Sequence, residues 1–129
     1  MIINHSITYE RKRRIMCDKS EAMLILAEVF ERSRAIFGSS LVNGYLYGSY
    51  AREDYDEESD VDILLTVDQS VDDICAQNKS LAKIDSDLSL DHNVTVSVTV
   101  KPLEQFNRYA EISPFYRNVI KEGICYAGN

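Results

Sequence analysis

Gly48-Ser49-Tyr50-Ala51-Arg52, an acidic connection over 53–59, and Asp60-Val61-Asp62-Ile63-Leu64-Leu65-Thr66-Val67 form one continuous stretch that sets the architecture of the chain. From Asp60 onward the residues alternate. Val61, Ile63, Leu65 and Val67 share one face of a strand, while Asp60, Asp62, Leu64 and Thr66 share the other. The first face is expected in the core and the second in a site. Two carboxylates at i and i+2 project together, about 7 Å apart, a spacing that suits a divalent cation held between them. Acidic residues are depleted in strands, and a pair on one face repels unless a cation offsets it. The apolar residues 41–47 read as a preceding strand, so Gly48-Ser49 falls where that strand ends and a short helix through Ala51-Arg52 begins. Glycine lets a backbone approach an anion closely, and a serine hydroxyl beside free N–H groups can hold phosphate oxygens. A metal site and a phosphate cradle thus face each other across a solvated loop.

Outward from this stretch, Met23, Leu26, Ala27, Phe30 and Phe37 recur at helical spacing, with Asp18 or Ser20 available as N-cap and Gly38 as the stop. Val71, Ile74, Cys75, Leu81, Ala82 and Leu88 form the apolar stripe of a second long helix, over 71–88 or a little beyond. Val94, Val96, Val98 and Val100 then alternate with Thr95, Ser97 and Thr99, a half-buried strand over 94–100 that Pro102 closes. Residues 103–109 fit another helix. Ser113-Pro114 matches an N-cap with proline at the first helical position, starting a last helix that ends at Gly123 and sends Phe115, Val119 and Ile120 into the core. The order α-β-β-α-β-α-α implies a small α/β domain with a mixed three-stranded sheet flanked by helices.

The 129 residues suffice for one domain, with 45% apolar and 27% charged residues as in soluble globular proteins. No stretch approaches the ~20 apolar residues of a membrane span, and the expected location is cytoplasmic. The net charge of −7 disfavours nucleic acid as a partner. The basic cluster Arg11-Lys12-Arg13-Arg14 lies in residues 1–15, read as a mobile N-terminal tail without the apolar core of a secretory signal. The folded domain is expected over 16–129. Cys17, Cys75 and Cys125 are odd in number and widely spaced, which reads as reduced thiols.

Read together, Gly48-Ser49-Tyr50-Ala51-Arg52 and Ser59-Asp60-Val61-Asp62-Ile63-Leu64-Leu65 resemble the minimal nucleotidyltransferases of the DNA polymerase β superfamily. The pattern G-S-x10-D-x-D joins a dipeptide, a fixed gap and a metal dyad in a strand–turn–strand setting, and is far more specific than D-x-D alone. The resemblance implies a polymerase-β-like fold and transfer of a nucleoside monophosphate from a triphosphate. It makes Asp60 and Asp62 the catalytic carboxylates and the Mg²⁺ ligands. It puts the triphosphate near Gly48 and Ser49, with Arg52 and Ser59 as further nucleotide-binding residues. Arg52 has an equally ready reading as a surface arginine paired with the acidic loop. Such chemistry asks the protein for in-line positioning and charge neutralisation more than for covalent participation, which this residue set suits.

The chain departs from the family pattern in two places. Ser97 stands where members usually carry a third carboxylate, and a hydroxyl neither bridges metals nor acts as a base near neutral pH. Glu53 stands where a glycine often follows the Ala-Arg pair. Small members often serve as antitoxins that adenylylate a tyrosine of a helical HEPN-type ribonuclease toxin. The resemblance therefore implies AMP transfer from Mg-ATP to a hydroxyl of such a partner. The alternative is a fold-only antitoxin that neutralises its partner by binding. A small-molecule transferase is disfavoured, because no segment supplies an acceptor-binding domain.

Overall fold

A computed structural model of the chain describes residues 17–126, so the tail expected over 1–15 lies outside the described residues. Helix α1 (Lys19–Phe37) starts at Asp18, whose side chain accepts the Glu21 N–H at 2.9 Å, and stops at Gly38 with φ of 58°. Its buried stripe is Ala22, Ile25, Leu26, Val29, Phe30 and Phe37. After a 3-10 turn (Gly38–Ser40), strand β1 (Leu41–Tyr47) passes beneath this stripe. A Cβ built at Gly44 would come within 3.0 Å of Phe30 and 3.2 Å of Leu65, so glycine there is what lets helix and strand lie this close.

Helix α2 (Ser49–Arg52) and the acidic loop lead to β2 (Val61–Val67), antiparallel to β1. Two helices, α3 (Val71–Cys75) and α4 (Asn78–His92), carry the chain over to β3 (Val96–Pro102), parallel to β2. Then α5 (Leu103–Tyr109), α6 (Pro114–Glu122) and β4 (Ile124–Tyr126) complete the fold. The strand order is β3-β2-β1-β4. Val61, Ile63, Leu65 and Val67 join the α1 stripe, Leu46, Leu88 and Val96 in one core. No helix among the described residues is long and apolar enough to cross a membrane.

The mixed α/β architecture is as expected, with differences that have physical causes. The sheet has four strands rather than three, because Ile124-Cys125-Tyr126 pairs with Leu46-Tyr45-Gly44. Three residues are too few to show alternation. The second helix is two, broken at Ala76 and Gln77, and α4 continues to His92, where Asn93 ends it in the left-handed region at φ 54°. The third strand starts at Val96, since the carbonyl of Thr95 accepts the Val61 N–H at 2.8 Å and the Val94 N–H turns back to the carbonyl of Ser89. The face of β2 expected to be all site is mostly a second core. Leu64 is packed there with Phe106, Tyr116 and Val119, and Thr66 is also fully buried. Only the Asp62 end stays open. Of the three residues assigned to the core of the last helix, Val119 is buried, whereas Phe115 and Ile120 are 39% and 48% exposed.

Candidate active site

Asp62 lies in a row across the sheet, with Tyr47 of β1 opposite it on one side and Ser97 of β3 on the other. Directly after Tyr47 the chain turns at Gly48, with φ 77° and ψ −156°, a conformation open essentially to glycine alone. The turn also runs against the carboxylate: a Cβ at position 48 would sit 2.5 Å from Asp62 Oδ2. Glycine is required here twice, for conformation and for space. The Arg52 N–H returns to the Gly48 carbonyl at 3.1 Å and closes α2, so Ser49 stands at the first helical position, directly after the glycine that meets the carboxylate.

Burial, and after it the negative charge of Asp60, raises the pKa of half-buried Asp62, while Arg52 pulls it down. Asp60 and Arg52 therefore each sit within electrostatic reach of Asp62. Asp60 is exposed at the entrance to β2. The Arg52 guanidinium bridges Asp54 at 3.1 Å and Glu122 at the end of α6 at 3.6 Å. This arginine pairs with the acidic loop, as its surface reading expected, and also lies within electrostatic reach of Asp62.

Contacts that hold the loop include the stacking of Tyr55 on buried Tyr50, with ring centroids 4.3 Å apart, and the pair of Lys19 with Glu53 at 2.8 Å. Ser59 is placed differently from the other candidates. Its hydroxyl accepts the Asp56 N–H at 2.9 Å and donates to Asp56 Oδ1 at 3.2 Å, closing the turn that feeds Asp60 into β2.

No group of three or more His, Cys, Asp or Glu side chains among the described residues is arranged to hold a metal. The pair Asp60 and Asp62 fits a less enclosed kind of site. Mg²⁺ typically takes one or two carboxylates and fills its remaining positions with water and substrate phosphates. Burial first and the Asp60 charge second disfavour the ionised form of Asp62, and a bound cation would offset both penalties. Gly48 keeps Oδ2 uncovered.

Reasoning from sequence passed over the residues that border this site. Tyr47 shares the face of Asp62; burial, ahead of other influences, raises its phenol pKa, which a hydrogen bond to Thr99 opposes. Phe115 at the start of α6 meets the Tyr47 ring edge-on, with centroids 5.4 Å apart. The alternation of Tyr45 and Tyr47 with Gly44 and Leu46 was the available signal for Tyr47. The position of α6 had none, because it depends on tertiary packing.

The model of the family described as nucleotidyltransferase domain matches residues 26–126. A Methanocaldococcus jannaschii protein named "Putative protein adenylyltransferase" is 41% identical over 81 residues, which is 60% of this chain and 70% of that one. A crystal structure of a "putative nucleotidyltransferase" from Sulfolobus solfataricus superposes with a TM-score of 0.54 at 20% identity, covering 84% of this chain and 81% of that one. A structure of the toxin-antitoxin MntA-HpeT superposes with a TM-score of 0.51 at 16% identity, covering 77% and 69%. At such identities the structural likeness is one of fold.

Proposed function

The chain belongs to the family of nucleotidyltransferase domains, and we propose that it transfers AMP from ATP to a hydroxyl of a partner protein, as the antitoxin of a helical HEPN-type toxin. The observation that carries this reading is the contact of the Gly48 turn with the Asp62 carboxylate. It supports a reading in which the donor phosphates and a cation would lie side by side. The name of the M. jannaschii relative supports a protein acceptor and an adenylyl donor. The toxin-antitoxin assembly of the structural neighbour supports the kind of partner.

In this reading Asp60 and Asp62 would hold Mg²⁺, which when bound neutralises charge developing on the phosphate oxygens. The chain's own residues do the positioning. The backbone at Gly48 and the hydroxyl of Ser49 receive the phosphates on the β1 side of Asp62. Arg52 exchanges an ion pair with Asp54 or Glu122 for one with the phosphates. In-line displacement at the α-phosphorus then brings the acceptor oxygen from the side opposite the leaving pyrophosphate, past Ser97 on β3. The acceptor O–P bond forms as the bond to pyrophosphate breaks. The proton of the acceptor hydroxyl goes to solvent or to a base of the partner, because Ser97 cannot take it near neutral pH.

A second reading, silencing of the partner by coverage alone, draws on one observation: the residue paired with Asp62 on β3 is a hydroxyl rather than a carboxylate. Intact-mass measurement separates the two. A helical HEPN-type partner, incubated with this chain and Mg-ATP, is expected to gain the mass of one AMP, and to gain nothing with Asp62→Asn. A partner that is inhibited yet unchanged in mass would contradict the transferase reading and favour coverage.

A further inference from the structure

We infer that α6 walls a nucleoside subsite, in which the ring of Phe115 stacks on the base of the donor nucleotide. The inference rests on the Gly48 turn being the site of the donor phosphates, and deepens that reading. Helix α6 is fastened to the site at both ends. Near its start the Phe115 ring meets Tyr47, the ladder neighbour of Asp62, at 5.4 Å. At its end Glu122 meets Arg52, just beyond the phosphate turn, at 3.6 Å. Seven residues are nearly two helical turns, so Phe115 and Glu122 lie on one stripe about 10 Å apart along the axis. Buried Val119, on the turn before Glu122 and packed against the Leu64 cluster, fixes the rotation of the helix. The stripe therefore runs from the arginine beside the turn to an aromatic ring beside the carboxylate.

Phe115 is also the outermost member of a row of rings. Tyr45 contacts Phe106 at 5.5 Å, Phe106 contacts Tyr116 at 5.2 Å, and Tyr116 contacts Phe115 at 5.5 Å. Gln105 anchors the Tyr116 hydroxyl at 2.7 Å. Phe106 and Tyr116 are buried, whereas Phe115 is 39% exposed on this rigid base. A half-exposed phenylalanine so supported presents its face to a flat, π-bearing group.

The proposed direction of transfer favours the donor base over the acceptor. In it the acceptor arrives from the β3 side, opposite pyrophosphate, while α6 contacts β1. What extends from the α-phosphorus toward Phe115 is then the nucleoside. Stacking of this kind adds affinity without choosing among bases, since every base has a π face.

Calorimetric titration in Mg²⁺ with ATP, and separately with inorganic tripolyphosphate, tests this on the wild type, Phe115→Ala, Phe115→Leu and Phe115→Trp. Phe115→Leu keeps the apolar bulk against Tyr47 while removing the π face, which guards against a loss that is only structural. Both smaller variants are expected to weaken ATP binding roughly 5- to 50-fold, to leave tripolyphosphate within about twofold, and to recover ATP affinity in the tryptophan variant. Equal weakening of both ligands, or no change in either, overturns the inference alone. ATP affinity left intact while KM for the protein acceptor rises overturns it too, and gives the ring to the acceptor. A wild-type chain that binds neither ligand overturns the phosphate-site reading and this inference with it.

Discussion

Asp62 carries opposite demands. Its folded-state pKa is raised, by burial first and then by Asp60, so at neutral pH the unfolded chain accommodates the ionised carboxylate more easily than the fold does. Without a cation, the charged side chain therefore detracts from stability, and the loss is relieved as pH falls through the raised pKa. Replacing Asp62 with Asn should raise the urea midpoint of the metal-free protein slightly, solvent screening keeping the gain small, while reducing AMP transfer by roughly 10²–10³ or more. A variant that loses both stability and activity would instead make Asp62 a structural residue. Gly48→Ala should lower both stability and transfer. Its backbone strain alone costs about 1–3 kcal/mol, and its Cβ would displace the carboxylate, with roughly a hundredfold loss of transfer. These two residues were legible in the sequence because spacing and parity are local properties. Ser59 was legible as part of the motif, but its commitment to Asp56 was not, since loop hydrogen bonds leave no periodic trace.

Among the elements, α2 ends at Glu53 in the left-handed region, with φ 66°. That conformation costs an L-residue about 1–2 kcal/mol, and the exposed pair with Lys19 returns at most about 1 kcal/mol. Glu53→Gly should therefore raise the urea midpoint, by about 0.5–1 kcal/mol in stability, with the site geometry unchanged. Between α1 and α4, His92 contacts Glu21 at 2.9 Å and Glu28 at 3.0 Å. Burial lowers its pKa, but the two glutamates outweigh burial and the net shift is upward. A raised histidine stabilises fully below its unfolded pKa, about 6.5, and that stabilisation is lost as pH rises through the higher folded value. Melting temperature should fall over that window in the wild type, and more gently in His92→Gln. The helix starts at Asp18 and Ser113 and the stops at Gly38 and Gly123 were readable from capping chemistry. The break at Ala76 and Gln77 was not, because no glycine or proline marks it.

At the scale of the whole molecule, the sheet is a platform half covered. Helices α1 and α4 lie against the large core, and on the opposite face α5 and α6 close over Leu64 but stop at Tyr47 and Phe115, leaving Asp62 open. Alternation in β2 announced two faces without saying how far each would be covered. Coverage is settled by where distant helices dock, which is why Leu64 and Thr66 are core while Asp62, two residues before Leu64, is not. The short β4 likewise exists only through its pairing with β1. In the proposed reaction donor phosphates lie on the β1 side of Asp62, the acceptor enters past β3, and the bond that breaks is the one between the α- and β-phosphates. Isotopic labelling reads this out directly. With the partner protein and Mg-ATP, label in the α-phosphate should become fixed on the partner, and label in the γ-phosphate should leave in pyrophosphate. Transfer of the γ label, or of neither, would contradict nucleotidyl transfer at this site.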